Sequence, residues 1–314
     1  MKLKNIAACV ISVIGLTLFG CASAKKAPEG VPGQPPGQGK QGQVYGPGEV
    51  YGPPEPPVQP VYGPEPIQLR PVVLVLGPGG ARGYAYVGAL RAIAEAKIPV
   101  AAVYGSEMGA LFGALYAMSG GSLSKFEWGL LKFPDDVFVS NHSLISNLFD
   151  KASDGKKLES ALSKVFGDKD LSASRIPVSV ALRLKDKDLP ETISQGLARA
   201  ALRAAVASPG LFDAGKWDGH AADSAVQSWT SLISQARATG KGSVIVIDAS
   251  GDPRFADQPE LKDADFVLRP DMKGIGALDF SKKTEAAFRG KTEVNQHLPE
   301  LRHLAGMPNE GPSP

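Results

Sequence analysis

The chain has 314 residues, 43% of them hydrophobic and 21% charged, with 34 basic against 32 acidic side chains. That composition supports a sizeable core and excludes wholesale disorder. The balance of charge and an aromatic share of 7% also argue against a nucleic-acid binder, which would show a basic excess or a stacking surface.

Residues 1–20 carry Lys2 and Lys4 ahead of an apolar run from Ile6 to Phe19. The run is too short to span a membrane comfortably and has the charge layout of a cleavable signal peptide. Its end, Leu18-Phe19-Gly20-Cys21, resembles the lipobox of bacterial lipoproteins, although Phe19 is bulkier than that pattern prefers. An ordinary cut near Ala22-Ser23-Ala24 is the alternative. The lipobox resemblance implies that Cys21 becomes the first mature residue and carries acyl chains, an anchor firmer than a single myristoyl. Cys9 would leave with the signal, so the mature chain could form no internal disulfide. Ala22 after the Cys suits outer-membrane sorting, with the protein facing the periplasm. Removal of Lys2 and Lys4 leaves 32 charges of each sign.

From Ala22 to Pro66 the composition shifts: 12 of the 26 prolines fall here, with many Gly and Gln. Such a segment cannot bury a core. Val-Tyr-Gly-Pro recurs at Val44, Val50 and Val61 without solenoid period. A spacer, residues 21–66 with the lipidated Cys, is expected rather than a specific ligand for a partner or the cell wall; in polyproline II it could stretch on the order of 140 Å.

Residues 67–304 read as an α/β domain, short apolar runs alternating with Ala-rich stretches, and 305–314 as a loose tail. Strands are expected at 71–76, 99–104, 177–184, 243–249 and 265–269. Helices are expected at 84–96, 107–118, 193–207, 225–238 and 281–289, an order that suits right-handed parallel crossovers in a three-layer α/β/α sheet.

Two strand-to-helix junctions carry the chemistry. Gly77-Pro78-Gly79-Gly80-Ala81-Arg82-Gly83 leaves the first strand and opens the first helix, and its small residues could expose backbone N–H groups as a nest for a phosphate or an oxyanion. A plain tight turn is the competing reading. A dinucleotide fingerprint fails, because Arg82 or Ala81 stands where glycine is needed, and no P-loop Lys follows. The second junction is Gly105-Ser106-Glu107-Met108-Gly109, where a nucleophile elbow would sit but with Glu107 in the middle. A carboxylate is favoured there by the helix N-terminus, but is not the usual ester-cleaving nucleophile. Ser106 lies one position early.

These motifs resemble the patatin-like phospholipases. Gly79-Gly80-Ala81-Arg82-Gly83 is similar to the family's oxyanion-hole motif, and Val103 to Leu111 to its elbow, with Glu107 at the position of its Ser. Ala207 to Phe212 resembles the approach to the Asp loop, Asp218-Gly219 falls at its hairpin turn, and Asp223-Ser224-Ala225 stands where the family carries Asp-Gly-Gly or Asp-Gly-Ala. The resemblance covers about residues 70 to 290. It implies a Ser/Asp dyad that attacks an ester through an acyl-enzyme. This chain keeps the acid, Asp223 with Asp218 as the alternative, and lacks the Ser.

Glu107 could then accept the hydrogen bonds once offered to a substrate oxyanion, leaving the site filled by the chain itself. Placed near Asp223 it would also set two like charges together, so one would titrate high or a cation such as Arg82, a protonated His220 or a metal would intervene. The reading that follows is a catalytically silent, membrane-anchored lipoprotein that binds a lipid, such as a phospholipid or lysophospholipid, or a protein partner. Two alternatives stay open: an acyl hydrolase using Ser106 with Asp223, and a Glu107/Asp223 pair with a new hydrolytic or cation-binding role. No cofactor or metal is expected, since four histidines and one mature thiol make a poor metal centre. His142, His297 and His303 have no motif around them. Lys185-Asp186-Lys187-Asp188 is expected as a solvated turn, and Trp128, Leu130, Leu131 and Phe133 as core rather than a lid.

Overall fold

A computed structural model describes residues 68–134, 136–138, 155–187, 190–208 and 211–308. The signal, Cys21 and the Pro-rich segment lie outside the described residues, as do His142 and residues 309–314. Everything described belongs to the unit running from Tyr62 to Pro314.

In chain order the elements are β1 (Val72–Leu76), α1 (Tyr84–Glu95), β2 (Val100–Ser106), α2 (Met108–Met118), α3 (Leu123–Leu130), α4 (Lys156–Phe166), β3 (Val178–Leu184), β4 (Glu191–Ile193), α5 (Ala198–Ala205), β5 (Gly215–Trp217), β6 (His220–Ser224), α6 (Ser231–Ala238), β7 (Ser243–Ile247), β8 (Phe266–Leu268), α7 (Lys283–Gln296) and α8 (Leu298–Leu304). Among the described residues the strands form one eight-stranded sheet along the path β5-β6-β3-β2-β1-β7-β8, with β4 also paired to β3. The run β3-β2-β1-β7-β8 is parallel, and the pairs β3-β4, β3-β6 and β5-β6 are antiparallel.

The central strand β1, Val-Val-Leu-Val-Leu, is fully buried on both faces, which is why it reads as an unbroken apolar run rather than an alternating one. Val72, Leu74 and Leu76 pack with α1, α2 and the larger helical layer. Val73 and Val75 face a thinner layer built from α6 with Trp229 and Phe255. The three-layer, mostly parallel α/β sheet expected from the sequence is the fold observed, with unequal outer layers.

Several boundaries differ from expectation. The stretch 193–207 opens as β4, whose Thr192 and Ile193 suit a strand, and turns helical only at Ala198. The expected helix 225–238 begins with a short 3₁₀ turn at Val226–Ser228 before α6. The expected helix 281–289 continues to Gln296 and is followed by α8. Helices α3 and α4 and strand β4 have no counterpart among the expected elements, and β5 and β6 have only the hairpin that the resemblance implies at Asp218-Gly219. The Asp218-Gly219 turn does join β5 to β6, with φ of 46° and 80° at its two residues, the left-handed pair that an Asp-Gly hairpin turn adopts. In α3 it is Phe126 that is buried, while Trp128 and Leu131 are exposed, so the expectation of core at those two positions is overturned. The helix is only two turns long and faces the core through Phe126 and Gly129. Lys185, Asp186 and Lys187 follow β3 as an exposed turn. No helix among the described residues is long and apolar enough to cross a membrane.

Candidate active site at the strand-to-helix elbow

β2 ends at Ser106 and α2 begins at Met108, so the chain reverses at Glu107 alone. It does so with φ 52° and ψ −120°, a region that a residue with a side chain occupies at a cost of roughly 1–3 kcal/mol. The turn closes because its flanks are glycines. A Cβ on Gly105 would stand 2.6 Å from the Ala110 backbone, and one on Gly109 would stand 2.4 Å from the carbonyl oxygens of Leu76 and Gly77. This strained strand-to-helix turn is the geometry of a nucleophile elbow, here presenting a carboxylate.

That carboxylate is 4% exposed. Its Oε2 accepts the backbone N–H of Gly79 at 2.6 Å and of Gly80 at 2.9 Å, and its Oε1 accepts the hydroxyl of Ser208 at 3.1 Å. Gly80 turns its N–H inward with φ 55°, where a Cβ would meet the Ala277 carbonyl oxygen at 2.1 Å. The nest is narrower than the motif suggested. Ala81 donates its N–H to the Ala277 carbonyl and Arg82 to that of Gly79, so two donors converge, not the whole run to Gly83. Gly83 serves packing instead, since a Cβ there would collide with the Met108 side chain. The loop is braced by Tyr86, whose buried hydroxyl donates to the Pro78 carbonyl at 2.8 Å and accepts from the Ala249 N–H. Burial pushes the Tyr86 phenol well above its ordinary range, with the charges of Asp248 and Glu107 adding to the effect.

The register places Asp223 beside the elbow. Val180 and Ala181 pair with both β2 and β4, which therefore lie on opposite edges of β3. Leu182 pairs with both β4 and β6, so β6 lies on the β2 edge. It continues that edge just past the residue where β2 stops. Ser106 stands opposite Ala181 and Asp223 opposite Arg183, two residues further along β3, or about 7 Å, and on the same face. Ser224 falls on the other face, its hydroxyl buried and without a hydrogen-bond partner, and Ala225 belongs to the same apolar cluster as Trp229.

A cation does stand at Asp223, but neither Arg82 nor His220 supplies it. Arg183 donates Nε to Oδ1 at 2.9 Å and Nη2 to Oδ2 at 2.8 Å, a bidentate fork, and Lys185 lies 4.0 Å away. The carboxylate in turn raises the Arg183 pKa. Arg82 spends its guanidinium on the carbonyls of Ile275 and Ser250. His220 pairs with Asp186 at 2.6 Å on the exposed end of β6, and Asp218 occupies the hairpin turn away from the elbow strand's edge. Ser106 is fully buried, and its hydroxyl has no hydrogen-bond partner. No cluster of three or more metal-ligating side chains occurs among the described residues.

Glu107 lines a cavity of about 520 Å³ whose walls also include Leu211, Val226, Phe255 and Leu278. Sequence reasoning missed this wall, together with Ser208 as a partner of Glu107 and Arg183 as a partner of Asp223. For Arg183 the only local signal was its alternation with Leu182 and Leu184 on a strand.

A backbone N–H nest after the first strand, an elbow after the second and an acid brought to the same sheet edge define a hydrolase-type α/β scaffold. The chain belongs to the patatin-like phospholipase family: residues 74–230, half of its length, match that family. It is similar to the lysophospholipase nte1 of Aspergillus fumigatus, with 31% identity over 157 residues that make up 45% of this chain and 9% of the fungal protein. It is also similar to patatin-like phospholipase domain-containing protein 7 of Rattus norvegicus, with 34% identity over 108 residues, 34% of this chain and 8% of the rat protein. The chain thus spans less than a tenth of the curated relatives it matches. Among solved structures it is similar to VipD from Legionella pneumophila, with 12% identity and a TM-score of 0.40 over 74% of this chain and 67% of that one.

Proposed function

We propose that this is a cell-envelope lipoprotein, anchored through Cys21 at the outer membrane and facing the periplasm, whose patatin-like domain is silent as an ester hydrolase and binds a lipid or a protein partner. One observation carries the reading: the carboxylate of Glu107 already occupies the two N–H donors of Gly79 and Gly80. A substrate oxyanion forming on an ester carbonyl would need those donors, and the residue at the elbow has no hydroxyl to form an acyl-enzyme. The relatives named lysophospholipases favour a lipid as the molecule that the apolar cavity accepts.

The competing reading, hydrolysis by Ser106 with Asp223, draws support from their shared face and from the register that sets them about 7 Å apart along β3. Against it stand the burial of Ser106 and the Arg183 fork that engages both Asp223 oxygens. A fluorophosphonate probe separates the two. The folded wild type should remain unlabelled, whereas labelling that disappears in Ser106→Ala would restore the enzyme reading. The anchor has its own test: cells fed a labelled fatty acid should incorporate it into the wild-type chain and not into Cys21→Ser, and equal incorporation in both would remove the lipoprotein assignment.

A further inference from the structure

Glu107 raises a charge question that its hydrogen bonds do not answer. A carboxylate offers about four acceptor positions, and Gly79, Gly80 and Ser208 fill three of them with neutral donors. Among the described residues no Lys, Arg or His comes within ion-pair distance of it, while Asp223, equally buried, has Arg183. The other two charged residues lining the same cavity are committed. Arg82 donates to two carbonyls and keeps its positive charge, which acts on Asp252 in the same lining. Asp252 is held below the usual carboxylate range mainly by its fork with Arg254, with a smaller contribution from Arg82. What remains is a buried carboxylate with one open acceptor position, on Oε1, in the lining of a cavity whose wall also includes Leu211, Val226, Phe255 and Leu278.

An anion in such a place favours an opposite charge arriving from the cavity side, because the apolar part of the wall lowers the local dielectric and strengthens the attraction. It disfavours a free fatty acid, whose carboxylate would meet Glu107 and find the N–H nest already filled. We infer that the cavity takes an amphiphile with a protonated amine as its head, the ammonium hydrogen-bonded to Glu107 and the alkyl chain lying against Leu278, Phe255 and Val226. The inference rests on Glu107 being a resident, non-catalytic anion, and it turns the general expectation of a lipid ligand into a preference of sign. A plain long-chain amine and a lysophospholipid with an ethanolamine head share this chemistry.

The test is titration calorimetry on the full chain with dodecylamine, dodecanoate, dodecanol and a lysophosphatidylethanolamine, each below its micelle concentration. Dodecylamine or the lysophospholipid should bind, and dodecylamine should bind at least roughly tenfold more tightly than dodecanol or dodecanoate, as one charge-assisted hydrogen bond implies. Glu107→Gln keeps the shape and removes the charge, so it should abolish that ratio. Leu278→Ser, at an exposed position on the cavity wall, should weaken the amine and the alcohol alike and keep the ratio. Equal binding of amine, alcohol and acid by the wild type would overturn the inference, and so would failure of both amine-headed probes to bind. Fluorophosphonate labelling of the wild type is read separately: labelling would sink the silent-enzyme reading whatever the amine does, whereas charge-blind binding by an unlabelled protein would sink only the ligand class.

Discussion

Glu107→Ser is expected to turn an elbow that a fluorophosphonate leaves untouched into one that it labels, and to release fatty acid from a lysophospholipid at a measurable rate. The substitution does two things at one residue. It supplies a hydroxyl at the tip of a turn already held at φ 52° and ψ −120°, so the geometry that presents a nucleophile needs no rebuilding. It also vacates the N–H groups of Gly79 and Gly80, now bound to Oε2. An oxyanion donor of this kind is worth about 10²–10³ in rate where it has been removed from working enzymes, so freeing a pair changes the outcome by orders of magnitude rather than by a factor of two. The acid side will limit the gain. Both oxygens of Asp223 are engaged by Arg183, so the serine hydroxyl would have to compete with the guanidinium fork for a carboxylate oxygen. Adding Arg183→Met should therefore raise the rate above that of Glu107→Ser alone. Labelling with an active-site probe and a fatty-acid assay on wild type, single and double variants checks the order. A folded Glu107→Ser that neither labels nor hydrolyses would show that more than the nucleophile has been lost, and Ser224, which puts a side chain where the family's loop has glycine, is the next position to restore.

What could be read from the sequence followed from local rules, and what could not depended on the sheet edge. The parallel strands were legible because burial on both faces writes them as continuous apolar runs, as in Val72–Leu76 and Ser243–Ile247. The nest and the elbow were legible because each sits at a strand-to-helix junction where only small residues fit. That Glu107 could fill the nest was legible from its charge, its position and the family resemblance, but a solvated or Arg-paired carboxylate fitted the sequence as well, and only the structure shows the two bonds to Gly79 and Gly80. The partner of Asp223 was not legible, since the pairing of Asp223 with Arg183 requires β6 to take the same edge of β3 as β2. No local pattern states that. The length of α7 was under-read for a different reason. From Arg289 onward the helix is polar except for Gly290 and Val294, and its inward face is the sparse series Ala286, Gly290, Val294, a stripe too small to register as amphipathic. Trp128 misled in the opposite direction, because size suggested burial where a two-turn helix had already spent its inward face on Phe126 and Gly129.

That sparse stripe leads to the second large effect. Gly88→Leu is expected to destabilise the domain by at least about 3 kcal/mol, the upper end of what overpacking usually costs. α1 and α7 cross with their backbones in contact: a Cβ on Gly88 would lie 1.7 Å from the Ala287 carbonyl oxygen, and one on Gly290 would lie 2.0 Å from that of Ala85. Neither obstacle is a side chain that can rotate away, so the helices must separate and expose the small residues between them. Gly219→Ala makes the contrast. No atom lies within 4 Å of its Cβ, and its positive φ is the main obstacle, so about 1 kcal/mol is expected. Urea midpoints of the two variants should differ accordingly, and a wild-type midpoint for Gly88→Leu would mean that α1 and α7 do not meet in this way in solution. The consequence reaches the site. The segment just before α7 carries Ala277, whose carbonyl holds the N–H of Ala81, and the nest of Gly79 and Gly80 is the turn on which α1 begins. Forcing α7 outward loosens that carbonyl, and the two donors that hold Glu107 lose the support that aims them. A Gly88→Leu chain that remains folded should therefore also lose the preference for an amine over an alcohol, although the substitution lies a full turn into α1 and bears no charge.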